Sequence, residues 1–142
     1  MTVKWKTKEI MQRMKLKVSN GVEAVAEAVR KDAVRRIEEP PKTGRIYSGP
    51  PFREGRPPHQ ASAPGESPAD DTGELKRSGL VAMRGELEAQ VSFGGRGGEY
   101  ARDLEYGDMN RQFPVAARPF LRPSVIAVKK QVKKIMEAEL RK

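Results

Sequence analysis

Residues 7–38 read TKEIMQRMKLKVSNGVEAVAEAVRKDAVRRIE, and the spacing of their apolar side chains decides the architecture of the N-terminal third. Ile10, Met14, Val18, Val22, Val25, Val29, Ala33 and Ile37 recur at steps of three or four. That spacing lays them along one stripe of an α-helix. Lys8, Glu9, Arg13, Lys15, Glu23, Glu27, Lys31 and Arg35 fill the other faces. Asn20-Gly21 is a candidate break, with Glu23 three residues on completing a capping box. The stripe keeps its phase through Gly21, so one long helix is expected over 7–38, with a kink at Gly21 left open. Pro40-Pro41 ends it.

The next segment changes character. Residues 40–72 hold eight of the chain's eleven prolines, and only Arg45-Ile46-Tyr47 reads as a short strand. A stretch this long without structure of its own is functional or disordered. Because proline restricts the unfolded chain, the reading here is an extended arm that binds something. Asp70-Asp71-Thr72-Gly73-Glu74-Leu75 then offers N-cap chemistry for a short helix. Two strands follow, 80–84 and 87–93. In the second, Leu87, Ala89, Val91 and Phe93 alternate with polar residues, the period of a half-buried strand. Gly85-Glu86 is the expected hairpin turn, and 94–98 a flexible glycine-rich exit. Residues 99–107 read as a short helix closed by Gly107, 108–123 as a loop, and 124–142 as a C-terminal helix. Its stripe is Val125, Val128, Val132, Ile135, Met136 and Leu140, opposite Lys129, Lys130, Lys133 and Lys134. The sum is a single α+β domain over 1–142. A long N-terminal helix, a small mostly antiparallel sheet with a proline-rich arm, and a C-terminal helix packed on the sheet make it up.

Composition narrows the function. The 142 residues carry 37% hydrophobic and 33% charged side chains, with a mean hydropathy of −0.71, enough for one small core. With no cysteine and one histidine, disulfide frameworks, thiolate chemistry and multi-histidine metal sites are excluded. No apolar run approaches the roughly 20 residues a membrane span needs. The N-terminal residues lack a signal-peptide pattern, which points to assembly in a reducing cytoplasm. The net charge of +9 divides into +5 for residues 1–43, −1 for 44–99 and +5 for 100–142.

Chemical motifs are sparse. The glycines of 94–98 lack the lysine and hydroxyl that finish a phosphate loop. His59 sits among prolines without a partner nucleophile, so it reads as a contact residue rather than a catalyst. Asp103, Glu105 and Asp108 fit salt bridges across a subunit contact better than a cation site. No catalytic, cofactor or metal residues are assigned, and the chain is read as a non-enzyme. The C-terminal lysines are candidates for facing DNA, although a solvated helix face explains their spacing equally well and no aromatic is interleaved with them.

Tyr100-Ala101-Arg102-Asp103-Leu104-Glu105-Tyr106-Gly107, followed by Ala117-Arg118-Pro119-Phe120-Leu121-Arg122-Pro123-Ser124, resembles paired elements of the neck and tail-completion proteins of long-tailed bacteriophages. His59 to Pro68 and Asp71 to Ser78 are similar to the proline-rich arm and helix start of the same family. The likeness spans about 44–142, and rests on the order and spacing of these elements. Asp108 stands where the family often has threonine. The resemblance implies a homo-oligomeric ring, hexameric or related, at the neck of the virion. It would join the portal, adaptor or head-closure proteins to the tail tube or its terminator, with DNA passing through the lumen and no membrane involved. A tail terminator or minor tail protein is the nearest alternative, and a basic nucleic-acid-binding protein the alternative of another class. Under this reading Ile46, Tyr47, His59, Tyr100, Leu104, Glu105, Tyr106, Arg118, Phe120, Leu121 and Arg122 form subunit or partner contacts. Arg118 and Arg122 are expected to pair with Glu105 or Asp103 of the same or the next subunit, and Lys129, Lys130, Lys133 and Lys134 to face DNA. The arm is expected to reach onto a neighbour.

Overall fold

The computed structural model describes residues 6–51, 53–95, 98–110 and 112–142. The chain start, Arg96-Gly97 of the glycine-rich exit, and Arg111 lie outside that set. Helix α1 (Thr7–Glu38) is continuous over 32 residues. Gly21 neither breaks it nor caps a second helix. It lies buried where α5 (Val132–Arg141) crosses, and a Cβ there would come within 2.7 Å of the Met136 sulfur. Its missing side chain lets two helices approach closely. Lys17 Nζ donates to the Leu140 carbonyl at 3.1 Å, so α5 runs antiparallel to α1 with its last turn level with Lys17. Helix α1 stops where the residue before a proline is pushed out of helical geometry: Glu39 has ψ 148.

Residues 124–142 do not form the single helix expected. Helix α4 (Leu121–Lys129) is separated from α5 by a turn at Lys130-Gln131, closed by Gln131 N–H donating to Val128 O at 2.7 Å. A continuous helix would stack Lys129 on Lys133 and Lys130 on Lys134, each pair destabilising by about 0.3 kcal/mol. The bend also swings Val132, Ile135 and Met136 onto α1, where they are half-buried. Helix α4 begins before Ser124 because Pro123 falls in its first turn, where a missing N–H costs nothing.

The strands form two separate antiparallel pairs instead of one sheet. Strand β1 (Ile46–Tyr47) pairs with β2 (His59–Gln60), and β3 (Leu80–Gly85) with β4 (Glu88–Ser92). The β3–β4 turn is Glu86-Leu87, one residue later than expected. Gly85 opposes Glu88, and a register irregularity between Met83 and Gly85 takes up the difference. Leu87 therefore leaves the strand and is 65% exposed. Ahead of it, the short helix α2 (Glu74–Arg77) starts from Gly73 in the left-handed region. Asp70 and Asp71, expected to cap it, are spent elsewhere: Asp70 pairs with Lys76 at 2.6 Å and Asp71 with Arg53.

Helix α3 (Gly98–Tyr106) ends at Gly107, whose φ of 76° and contact with Ala117 N, 2.9 Å from where a Cβ would stand, both demand glycine. The core gathers between α1, α3 and α4: Ala33, Ile37, Leu104 and Phe120, flanked by Leu75, Phe93 and Leu121. Phe93 meets Phe120 edge-on at 5.2 Å between centroids. The α+β architecture read from the sequence is the one observed.

A carboxylate clasp and the candidate interaction surfaces

The two elements on which the family resemblance rests are joined by one side chain. Glu105, in the last turn of α3, is 4% exposed. Its Oε2 accepts the Phe120 and Leu121 N–H groups, both at 2.9 Å, and its Oε1 accepts Arg122 N–H at 2.9 Å and Arg122 Nε at 3.0 Å. Those amides open α4, where four N–H groups have no partner within the helix. A carboxylate from a distant helix thus does the work of an N-cap, at the positive end of the α4 dipole. Burial pushes this carboxyl up. The three backbone N–H groups and Arg122 outweigh burial and hold it below the ordinary glutamate value. Arg122 also donates to Glu105 O and stacks on the Tyr106 ring at 4.7 Å. Ser124 Oγ–H donates to Phe120 O at 2.7 Å, and Arg118 N–H to Leu104 O at 2.6 Å.

The arm does not reach away from its own chain. Residues 43–47 run back against 59–66 as a narrow ribbon tied to the body. Gly65 N–H donates to Ala117 O, Ser67 Oγ–H to Pro119 O and Arg118 Nε to Ser62 O. Glu66 gathers Thr43 N–H, Thr43 Oγ1–H and Ala63 N–H, which hold its carboxyl below the ordinary value. Lys42 Nζ bridges Arg36 O and Ser67 O at 2.8 and 2.9 Å, although burial pushes this ammonium down. Buried Arg53 anchors the ribbon tip through Asp71 and Pro57 O. The physical reason is local: proline keeps the segment extended, and polar side chains of the segment then satisfy its free carbonyls and amides in place. Two peptide bonds in it, Pro40–Pro41 and Pro50–Pro51, are cis.

Between the ribbon and α3 opens a groove of about 400 Å³ that gathers five of the expected contact residues: Tyr47, His59, Tyr100, Leu104 and Arg118. Arg53 and Asp71 share its wall. Tyr100, Tyr106 and Ile46 are each about three-fifths exposed. Leu104, Glu105 and Phe120 are buried within the chain, so their expected place on a partner surface is corrected. Leu104 falls on the inward side of α3, and Phe120 fills the core. Leu121 is half-buried and Arg122 exposed. The Arg122–Glu105 pairing exists within one chain, whereas Arg118 caps carbonyls of the ribbon and of Ala116. Lys129, Lys130, Lys133 and Lys134 are all exposed around the α4–α5 bend. No group of three potential metal-ligating side chains occurs among the described residues.

Sequence reasoning missed the anchors Lys42, Arg53 and Glu66, and one apolar surface. A groove of about 460 Å³ runs between α1, β4 and α4, lined by Val22, Val25, Ala26, Val29, Leu87, Ala89, Val91, Leu121 and Val125. Its signal lay in the breadth of the α1 stripe, wider than one packing partner needs. No family model, no curated protein and no solved structure matches this chain.

Proposed function

We propose that the chain is a structural virion subunit, a ring-forming neck or tail-completion protein that joins the portal or adaptor complex of a phage head to the tail tube. The observation that carries this reading is unsatisfied surface. The chain exposes 10565 Å², where a compact monomer of 15.8 kDa exposes about 7,300 Å². The excess is of the order buried by obligate subunit contacts. Fifteen large apolar side chains stand exposed among the described residues, against eight buried apolar ones. Such a surface is completed by other copies. The clasp supports the same reading, because it holds Tyr106 and Arg122 rigidly on the outside while fixing α3 to α4. The outer edge of the ribbon, with Ile46 exposed, is the part of the arm left to meet a neighbour. Exposed lysines at the α4–α5 bend suit non-specific contact with DNA in a lumen. No catalysis is assigned.

The test is electron microscopy of the purified protein with and without isolated tail tubes. Rings that cap tube ends are expected. A dispersed monomer at micromolar concentration that ignores tubes overturns the proposal.

A further inference from the structure

The chain carries an apolar projection and an apolar recess that it cannot bring together by itself. Beyond the last turn of α5, α1 continues towards its N-terminus with Ile10, Met11 and Met14 about half exposed. The recess is the groove between α1, the β3–β4 hairpin and α4, lined by Val22, Val25, Val29, Leu87, Val91 and Val125. Ile10 lies about 18 Å along the helix axis from Val22. Because α1 is unbroken between them, the projection cannot turn back into its own recess. We infer that the N-terminal turns of α1 of one copy dock into the α1–hairpin–α4 groove of the next. This rests on the ring reading above and names its mating surfaces.

Three features favour a second copy as the occupant. Met14 follows Met11 by three residues and Ile10 by four, the spacings that helix-in-groove recognition reads. Its methionines adapt to an irregular recess. Charge is complementary as well. Lys6, Lys8, Arg13, Lys15 and Lys17 flank the projection against a single Glu9, whereas Glu88 lines the groove and Glu86 stands beside it in the hairpin turn. Within one chain Lys15 already lies 4.0 Å from Glu86, so the hairpin turn faces a lysine of this helix. Projection and recess are different surfaces, so the contact is head-to-tail, and its repetition closes a ring.

The test uses two full-length variants, Met14→Asp, which spoils the projection, and Val125→Asp, which spoils the recess. Each alone is expected to weaken self-association about a hundredfold while keeping the wild-type circular dichroism. Mixed together they are expected to form a 1:1 complex, since one retains the recess and the other the projection. A Met14→Cys, Val125→Cys double variant, in a chain with no cysteine of its own, is expected to form disulfide-linked oligomers. That readout decides the matter if an aspartate variant fails to fold. Rings that survive both aspartate substitutions without cross-linking overturn this inference and leave the ring reading standing. A wild-type chain that never self-associates overturns both. Dispersed variants that do not recombine overturn the pairing of these two surfaces.

Discussion

The two ends of α1 carry the same apolar period and meet opposite fates. From Gly21 to Ile37 most of the stripe is covered: Ala26, Val29, Ala33 and Ile37 are buried, α5, α4 and the hairpin pack around them, and Val22 and Val25 stay half-buried along the groove. From Ile10 to Leu16 it faces solvent, with Leu16 63% exposed. Periodicity therefore specifies that a helix has an apolar face, and says nothing of which molecule covers it. At the covered end the answer lies within the chain, because α5 turns back at Lys130-Gln131 and lies over Gly21. At the free end Glu86 of the hairpin comes no closer than 4.0 Å to Lys15, and Ile10, Met11 and Met14 are left about half exposed.

This contrast can be broken most severely at the covered end. Phe120 is 1% exposed and meets Phe93 edge-on beside Ile37. Phe120→Ala is expected to cost about 3–5 kcal/mol, from lost transfer energy plus the cavity left behind, a large share of the stability of a small domain. Urea unfolding of the two proteins measures it; a loss under about 1 kcal/mol would mean that the core is not where the stability resides.

Glu105 sharpens the comparison with a smaller effect. Glu105→Gln presents an amide N–H₂ to amides that need an acceptor, and is expected to cost about 2–3 kcal/mol. The pH dependence has a definite sign. The folded carboxyl lies below its unfolded value, so the unfolded chain binds the proton more readily across the interval between them. The clasp thus contributes fully above the ordinary glutamate range, and its contribution fades as the pH falls through the lower folded value. Stability measured against pH should show a shallower acid limb in Glu105→Gln than in the wild type. Equal limbs would assign the acid sensitivity to other carboxylates, Glu66 and Asp32 among them.

Much of this was legible in the sequence, and the boundary is physical. The limits of α1, the short α3 closed by Gly107 and the strand pair before Phe93 follow from local spacing, while Arg122–Glu105 is one of several pairings that the family resemblance left open. What sequence missed depends on groups distant along the chain. The helix was expected to run through Gly21, but the reason for a glycine there was hidden, because Met136, which explains it, is 115 residues away. The arm looked free because its restraints, Lys42 to Ser67, Arg53 to Asp71 and Arg118 to Ser62, are polar contacts with no periodicity. Leu104, Glu105 and Phe120 were each assigned to partner surfaces, whereas all three are buried within the chain. A motif signals that residues act as a unit and does not say on which side of the surface the unit lies. The displaced hairpin turn has the same origin, since Gly85 invited a turn that the register of β3 and β4 placed one residue later.

The smallest expected effect on the single chain lies at the free end. Ile10→Ser and Met14→Ser together remove apolar side chains that touch little within the chain, so stability at high dilution should change by less than about 0.5 kcal/mol. Serine forms helix less readily than methionine and about as readily as isoleucine, and the difference at position 14 sets the size of any residual loss. The comparison is sharpest when the same measurement is repeated at a concentration where the wild type associates. There the wild type gains stability by mass action and the variant does not, so their melting temperatures, equal when dilute, should separate as concentration rises. Melting temperatures that stay together at every concentration would mean that the exposed half of the stripe serves no association between copies. A large loss in the dilute protein would instead mean that Ile10 and Met14 find cover within their own chain, and the contrast between the two ends of α1 would disappear.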